Sequence, residues 1–311
     1  MLKRPKIVIL GAGMSGIACA LQLHKNFNVK VFEKSRGVGG RLCAKTLANG
    51  LFHFGAQFCK AKSNSFEAFI KQNDAISFQG SLFDCNKGLV TDSTKYFVCK
   101  DGMHGLLKKY KQLLNIYFNQ KVIKVDETKK LIWFDSGNCE PYDILISSLP
   151  LPQSQEIFDT QIKHDATFSS CVSVGMIFNG TIDNRHSAYQ NVNEDVSMIS
   201  SSSFYKSSEK ETWVLQFSPN ASYEHIHESD SYIQTQAEKS IKQIIKGKYE
   251  ILHAGIFKWK YALCSRSNLS NRFTIISEDA FAIGDWNISP RIESAYISGN
   301  SLGRYLIEAK T

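Results

Sequence analysis

The feature that most constrains this chain lies at its N-terminal end. A short β-branched apolar run, Lys6–Leu10 (KIVIL), has the composition of a buried parallel strand. Gly11-Ala12-Gly13-Met14-Ser15-Gly16 follows at once, and residues 17–24 carry the pattern of a helix. A GxGxxG between strand and helix has a specific physical use. Gly11 allows the tight turn, Gly13 lets the backbone approach a pyrophosphate, and Gly16 lets helix and strand pack closely. The phosphates then meet the positive N-terminus of the helix. A second strand over residues 29–32 ends at Glu33, 22 positions after Gly11. A carboxylate there accepts hydrogen bonds from an adenosine ribose and repels a 2′-phosphate. Lys3, Arg4 and Lys6 before an apolar run, with Ala18-Cys19-Ala20 beyond it, imitate a secretion signal. The glycines break that run at a dinucleotide spacing, so no signal peptide is expected.

After Glu33 comes a second glycine-rich segment, Lys34-Ser35-Arg36-Gly37-Val38-Gly39-Gly40-Arg41. It lets the backbone pass close to a dinucleotide, and Arg41 can reach phosphates or the flavin side. This segment resembles the flavin amine-oxidase superfamily, whose members carry RxGGR just after the acidic residue. Further segments resemble a narrower group, the renalase-like FAD oxidoreductases. Gly55-Ala56-Gln57-Phe58 is similar to that family's segment near the flavin ring, and Asp101-Gly102-Met103-His104-Gly105-Leu106 to the start of one of its helices. Lys121-Val122-Ile123-Lys124-Val125 resembles the strand whose backbone brackets the adenine, with Val122 as the contact. Residues 145–152 (LISSLPLP) resemble a strand-to-loop exit. The strand ending in Gly284-Asp285-Trp286, followed by Arg291-Ile292-Glu293-Ser294-Ala295, resembles the family's C-terminal block. In the family that last helix aims its N-terminus at the flavin's pyrimidine edge, where negative charge grows on reduction.

The resemblance runs from about Lys6 to Leu306 and implies an α/β fold. A Rossmann-type FAD-binding domain (1–72, 98–152 and 273–311) carries an inserted, strand-rich α+β substrate domain (73–97 and 153–272). The implied cofactor is FAD, held non-covalently because no Cys or His matches an attachment position. Its expected ligands are Gly11, Gly13, Met14, Ser15, Gly16, Glu33, Lys34, Gly40 and Arg41 from the first segments. Ala56, Gln57, Val122, Gly284, Asp285, Arg291 and Ile292 complete the set. Gln57, Lys258, Trp259 and Trp286 are the expected catalytic or positioning groups, with the two tryptophans stacking on a nicotinamide-like ring and Lys258 holding a phosphate or carboxamide neighbour. Trp259 reads equally well as a core aromatic on a strand.

The implied reaction is hydride transfer from isomeric dihydro-NAD(P) to the flavin, with O2 reoxidising it to give H2O2. Two departures from the family pattern touch the substrate side. Phe257 stands where many members have His, and Met198–Ser203 replaces a W-I-A-x-N-x-S stretch. A flavin amine oxidase or desaturase acting on another small molecule, or a non-catalytic FAD-binding scaffold or sensor, therefore stand as alternatives.

Composition narrows the rest. In 311 residues, 43% hydrophobic, 21% charged and with six prolines, there is material for one large domain or two intertwined ones. The chain is neither disordered nor collagen-like, and no apolar stretch approaches the ~18 residues of a membrane span. The net charge of +8 is scattered; Lys108-Lys109 with Lys111, and Lys129-Lys130, read as solvated faces rather than a nucleic-acid stripe. The eight cysteines include no CxxC pair and read as buried free thiols of a reducing compartment, which points to the cytoplasm. His225-x-His227 reads as a solvated turn, and no metal site is expected. On the substrate side, residues 171–179 and 211–218 read as strands, 197–208 as a loop and 229–245 as a helix.

Overall fold

The computed structural model describes residues 4–77, 81–90, 96–183, 186–201, 211–265 and 271–310. The chain divides into two units. The first comprises Met1–Gly40, Leu107–Phe168 and Cys264–Thr311, and the second Arg41–Leu106 and Ser169–Leu263.

In the first unit, Ile7, Val8, Ile9 and Leu10 are all buried, as a continuous apolar strand at the centre of a parallel sheet requires. The sheet runs in the order Ile116–Tyr117, Asn28–Phe32, Lys6–Leu10, Ile144–Ser147, Ala280–Ala282, Thr274–Ser277. The pairs are parallel except the last, which is antiparallel. The helix Met14–Leu23 follows the first strand, and the final helix Ile292–Lys310 crosses it. Small residues make that crossing possible: a Cβ on Gly299 would lie 2.1 Å from the Ser15 carbonyl oxygen, and one on Gly303 would lie 2.5 Å from Gln22 Cβ. Gln22 Nε2 donates to Asn300 Oδ1 at 2.9 Å beside the contact.

A three-stranded antiparallel sheet, Val122–Asp126, Leu131–Phe134 and Cys139–Pro141, completes this unit. One carboxylate ties it to the parallel sheet. Glu140 Oε1 receives Lys6 Nζ at 2.5 Å and Lys30 Nζ at 2.7 Å. Burial alone would raise the Glu140 carboxyl, but hydrogen bonds from Lys30 and Lys6 outweigh it and hold the group below its usual range. A folded-state pKa below the unfolded value means stability that is complete near neutrality and lost as pH falls through the folded value. Glu140→Gln is expected to lower stability by roughly 1–2 kcal/mol at pH 7 and to flatten the acid limb of stability against pH. Denaturant melts at pH 7 and pH 3 read this directly.

The second unit is built on a seven-stranded sheet in the order Lys246–Cys264, Phe168–Asp183, Glu211–Phe217, Val196–Ser201, Ala188–Gln190, Leu82–Asp84, Gly88–Val90. Strand alternation gives it two distinct faces. Val172, Val174, Met176, Ile199, Trp213 and Leu215 form one, and the helix Asp230–Ile244 buries Ile233, Ala237 and Ile241 in the same cluster. That helix fulfils the periodicity of residues 229–245, with Ser229 Oγ accepting the Tyr232 N–H. The opposite face carries Phe52, Phe54, Ile177 and Val214.

Two expectations shift. Residues 197–201 continue a strand rather than a loop, and residues 202–208 lie outside the described residues, as does Gly80. The segments 41–72 and 98–106, expected with the dinucleotide domain, group with the second unit, whereas 153–168 and 264–272 group with the first. The reason is local pairing: the hairpin Lys45–Leu47 and Gly50–Phe52 meets the seven-stranded sheet, and a Cβ on Gly175 would lie 2.5 Å from the Phe52 ring. Among the described residues no helix is long and apolar enough to cross a membrane.

Candidate functional site

The first unit assembles the glycine loop. Gly11 turns with φ +96°, a region that disfavours side chains, and Ser148 Oγ sits beside it, bonded to the carbonyls of Leu10 and Gly11 at 2.8 and 2.9 Å. A Cβ on Gly16 would fall 2.2 Å from the Gly11 carbonyl oxygen, so only glycine lets the helix approach the strand. Gly13 is different: its backbone is ordinary extended chain, and a Cβ there would meet nothing within 4 Å. The helix that starts at Met14 has no capping side chain and no acidic residue in its first turn, so no side chain of its own neutralises the positive end. That combination suits a bound phosphate.

Glu33 is buried beside the loop, where its carboxylate accepts the N–H groups of Ala12 and Ser35, each at 2.8 Å. Both oxygens keep a further lone pair for a ribose hydroxyl. The second glycine segment lies against the first: Gly39 N–H donates to the Ala12 carbonyl at 2.9 Å, and a Cβ on Gly40 would stand 3.8 Å from Gly13 Cα. Lys34 is exposed and Val122 half-buried.

At the other end of the chain, Gly284 N–H donates to Ser298 Oγ at 3.0 Å. The Asp285 carboxylate is buried and accepts the Cys264 thiol at 3.4 Å, while its own carbonyl accepts Ile288 and Ser289 N–H groups. Asn287 Oδ1 accepts Thr274 Oγ1–H at 2.8 Å, but its buried Nδ2 finds no partner among the described residues. Arg291 Nη2 lies 3.7 Å from Glu293 Oε2, just before Ile292 opens the final helix.

Trp286 requires a correction. It is fully buried in the core of its unit, its indole N–H donates to the Leu149 carbonyl at 3.2 Å, and the His164 ring meets it edge-on at 4.6 Å. Sealed in this way, the indole packs the core and has no open face for a nicotinamide.

In the second unit, the segment His53-Phe54-Gly55-Ala56-Gln57 is pinned to the sheet face opposite the helix. Ser173 Oγ and Trp259 Nε1 both donate to the Phe54 carbonyl at 2.9 Å, and Gln216 Nε2 donates to the Gly55 carbonyl at 2.9 Å. Ala56 N–H donates to the Arg41 carbonyl at 3.0 Å, and a Cβ on Gly55 would lie 2.0 Å from that same oxygen. The Arg41 guanidinium donates to the Ala262 carbonyl at 3.0 Å.

Gln57 also differs from expectation. Its amide nitrogen donates to the His53 and Gly55 carbonyls, and its amide oxygen accepts the Ser200 hydroxyl. Both amide hydrogens are therefore used within the protein, leaving no donor for substrate. His53 Nδ1 meets the Gln57 carbonyl at 3.1 Å. Burial pushes the His53 pKa down to about 4, against the Gln57 carbonyl and with help from nearby His104, so the ring is neutral at physiological pH. Ser173, Ser200 and Gln216, which anchor this segment, were not anticipated; their signal is polar residues alternating with apolar ones in strands otherwise destined for a core.

Lys258 lies on the wrong side of its strand. Its ammonium bonds the Glu228 carbonyl at 2.7 Å and lies 3.4 Å from Asp230, at the start of the helix. Phe257 and Trp259 occupy the other face, their ring centroids 4.4 Å apart. Successive strand residues point oppositely, so Lys258 cannot share a pocket with Trp259.

None of the eight cysteines forms a disulfide, and Cys85 and Cys139 are exposed and Cys43 half-buried rather than buried. Burial raises the thiols of Cys19 and Cys43, which suits packing residues rather than nucleophiles. His225 is buried against Phe217 and Tyr232, not in a solvated turn. Among the described residues no group of three or more His, Cys, Asp or Glu side chains could hold a metal ion.

Residues 9–72 match the family described as NAD(P)-binding Rossmann-like domain. Mouse (Mus musculus) renalase is 22% identical over 177 residues, 49% of this chain and 49% of renalase. The zeta-carotene-forming phytoene desaturase of Myxococcus xanthus is 48% identical over 46 residues, 14% of this chain and 9% of the desaturase. The chain thus spans at most about half the length of these curated relatives. Among solved structures, a protein of Exiguobacterium sp. 255-15 designated a protoporphyrinogen oxidase superposes with a TM-score of 0.79 at 12% identity, covering 100% of both chains. Putrescine oxidase bound to putrescine gives 0.77 at 12% identity over 99% of each chain. The resemblance to renalase read from the motifs is borne out at low identity, residues 9–72 match the Rossmann-like family where the glycine motif lies, and the chain shares the α/β fold of these solved structures along its length.

Proposed function

We propose that this protein is an FAD-dependent oxidoreductase whose substrate is a reduced pyridine nucleotide, taken as an isomer of dihydro-NAD(P). The observation that carries the cofactor assignment is the double glycine cradle. Gly13 opens onto free space, Gly39 and Gly40 lie against the same loop, and the Glu33 carboxylate stands beside them. Gly11, Gly13, Met14, Ser15, Gly16 and Gly40 hold the pyrophosphate through backbone N–H groups, and Glu33 holds the adenosine ribose. Asp285, with Gly284, orients the flavin side, and the first turn of the helix from Ile292 supplies the positive end of a dipole. Bound FAD would supply the hydride acceptor and the two-electron route to O2 that yields H2O2. No general base is needed, because the nicotinamide product leaves as an aromatic cation and the protein's task is orientation.

The renalase likeness supports the dihydronicotinamide reading over amine oxidation, and so does charge: the Lys45 ammonium lies 4.4 Å above the Phe257 ring and repels a protonated amine. The test is anaerobic mixing of the yellow protein with isomeric dihydro-NAD(P), following the flavin's visible absorbance. Fast bleaching that returns on admitting air, with one H2O2 per substrate, is expected. Intact bound FAD that never bleaches overturns this substrate, and bleaching by amines instead moves the protein to the amine-oxidase reading.

A further inference from the structure

The strand Lys246–Cys264 ends in the first unit, where its last side chain meets a carboxylate of the cofactor site. Cys264 Sγ lies 3.4 Å from Asp285 Oδ2, and both residues are buried. An ionised carboxylate only accepts, so the thiol donates, and a charged acceptor strengthens an otherwise weak S–H bond. Both backbones are already held. Ser265 N–H donates to the Thr167 carbonyl at 2.8 Å and Thr167 N–H to Ser265 Oγ at 3.0 Å, which fixes the strand end. The Asp285 carbonyl accepts the Ile288 and Ser289 N–H groups at 2.9 and 2.8 Å, which fixes the turn after Gly284. Cys264 and Trp286 share one core cluster, so the sulfur itself is packed in place.

With its backbone fixed, an aspartate still rotates about its side-chain torsions, and ordering them when a ligand binds costs free energy. A buried donor on Oδ2 orders the carboxylate beforehand. Each carboxylate oxygen carries two lone pairs, so one thiol does not use up the group. We propose that Cys264 is a positioning residue for FAD, its thiol setting the Asp285 carboxylate for the flavin side before the cofactor arrives. This rests on the reading of Asp285 as a cofactor residue.

The test titrates FAD into the full chain, freed of flavin, and follows the quenching of flavin fluorescence. Serine and alanine give up nearly the same volume at position 264, but only serine keeps a donor. Cys264→Ser is expected to bind FAD within about twofold of wild type, and Cys264→Ala about tenfold more weakly. Cys264→Val, which lacks the donor without opening a cavity, is expected to match Cys264→Ala. Asp285→Ala weakens FAD by itself, and in that background Cys264→Ala changes nothing further, because the thiol acts through the carboxylate. Equal FAD affinity of the serine and alanine variants makes Cys264 a packing residue and overturns the proposal, as does a full additional loss in the Asp285→Ala background. Asp285→Ala that holds FAD as tightly as wild type overturns the cofactor reading of Asp285, and this inference with it.

Discussion

A Gly13→Ala variant folds as the wild type does but loses its flavin, whereas Gly16→Ala fails to fold. Both replace a glycine of one motif by the smallest side chain, and the structure separates them. At Gly13 the backbone has φ −78° and ψ −176°, which any L-residue adopts, and the new methyl would meet no protein atom within 4 Å. Restricting the unfolded chain even favours the apo-protein, by roughly 0.4–1 kcal/mol. The methyl projects from the loop where the pyrophosphate must approach, so FAD affinity is expected to fall by about 100-fold, roughly 3 kcal/mol. At Gly16 the methyl would lie 2.2 Å from the Gly11 carbonyl and 2.7 Å from Ser148 Oγ, within a strand–turn–helix that cannot yield. Overpacking against backbone exceeds the usual ~1–3 kcal/mol and removes much of a typical domain's stability. Thermal melts of the apo-proteins and FAD titrations of the soluble variants distinguish the cases. If Gly13→Ala holds FAD as tightly as wild type, the phosphates do not approach there.

The contrast marks what could be read before the structure. The glycine loop was legible because its requirements are local: a strand, a turn, a helix and an acid within 33 residues. The helix Asp230–Ile244 was legible for the same reason, since Ile233, Ala237 and Ile241 recur on one stripe. Lys258 went astray although its signal was present. Ile256, Lys258 and Phe257, Trp259 alternate along one strand, and period two alone separates the lysine from the tryptophan. Trp286 could not be placed by any local rule, because its burial is set by Leu149 and His164, far away in sequence. The two units divide the chain elsewhere for a similar reason: residues 41–72 read naturally as a continuation of the dinucleotide motif, yet their hairpin finds its partners beyond residue 170.

Gln57 gives the largest expected effect outside the glycine loop. Gln57→Glu changes one amide to a carboxylate at nearly constant volume, in a side chain only 4% exposed. The amide now donates twice, to the carbonyls of His53 and Gly55, and accepts once, from Ser200. A carboxylate keeps the Ser200 bond but sets negative charge against two carbonyl oxygens, with the neutral His53 unable to compensate at pH 7. The expected loss is roughly 3–5 kcal/mol, a fall in Tm of about 10 °C or more. Ser200→Ala removes a single bond and is expected to lose only about 1–2 kcal/mol. A catalytic glutamine behaves otherwise: its replacement lowers kcat while the melting curve stays in place. A Tm that falls steeply for Gln57→Glu and slightly for Ser200→Ala identifies the side chain as the clamp that holds the 53–57 segment on its sheet. An unchanged Tm with lost turnover returns Gln57 to the reacting atoms.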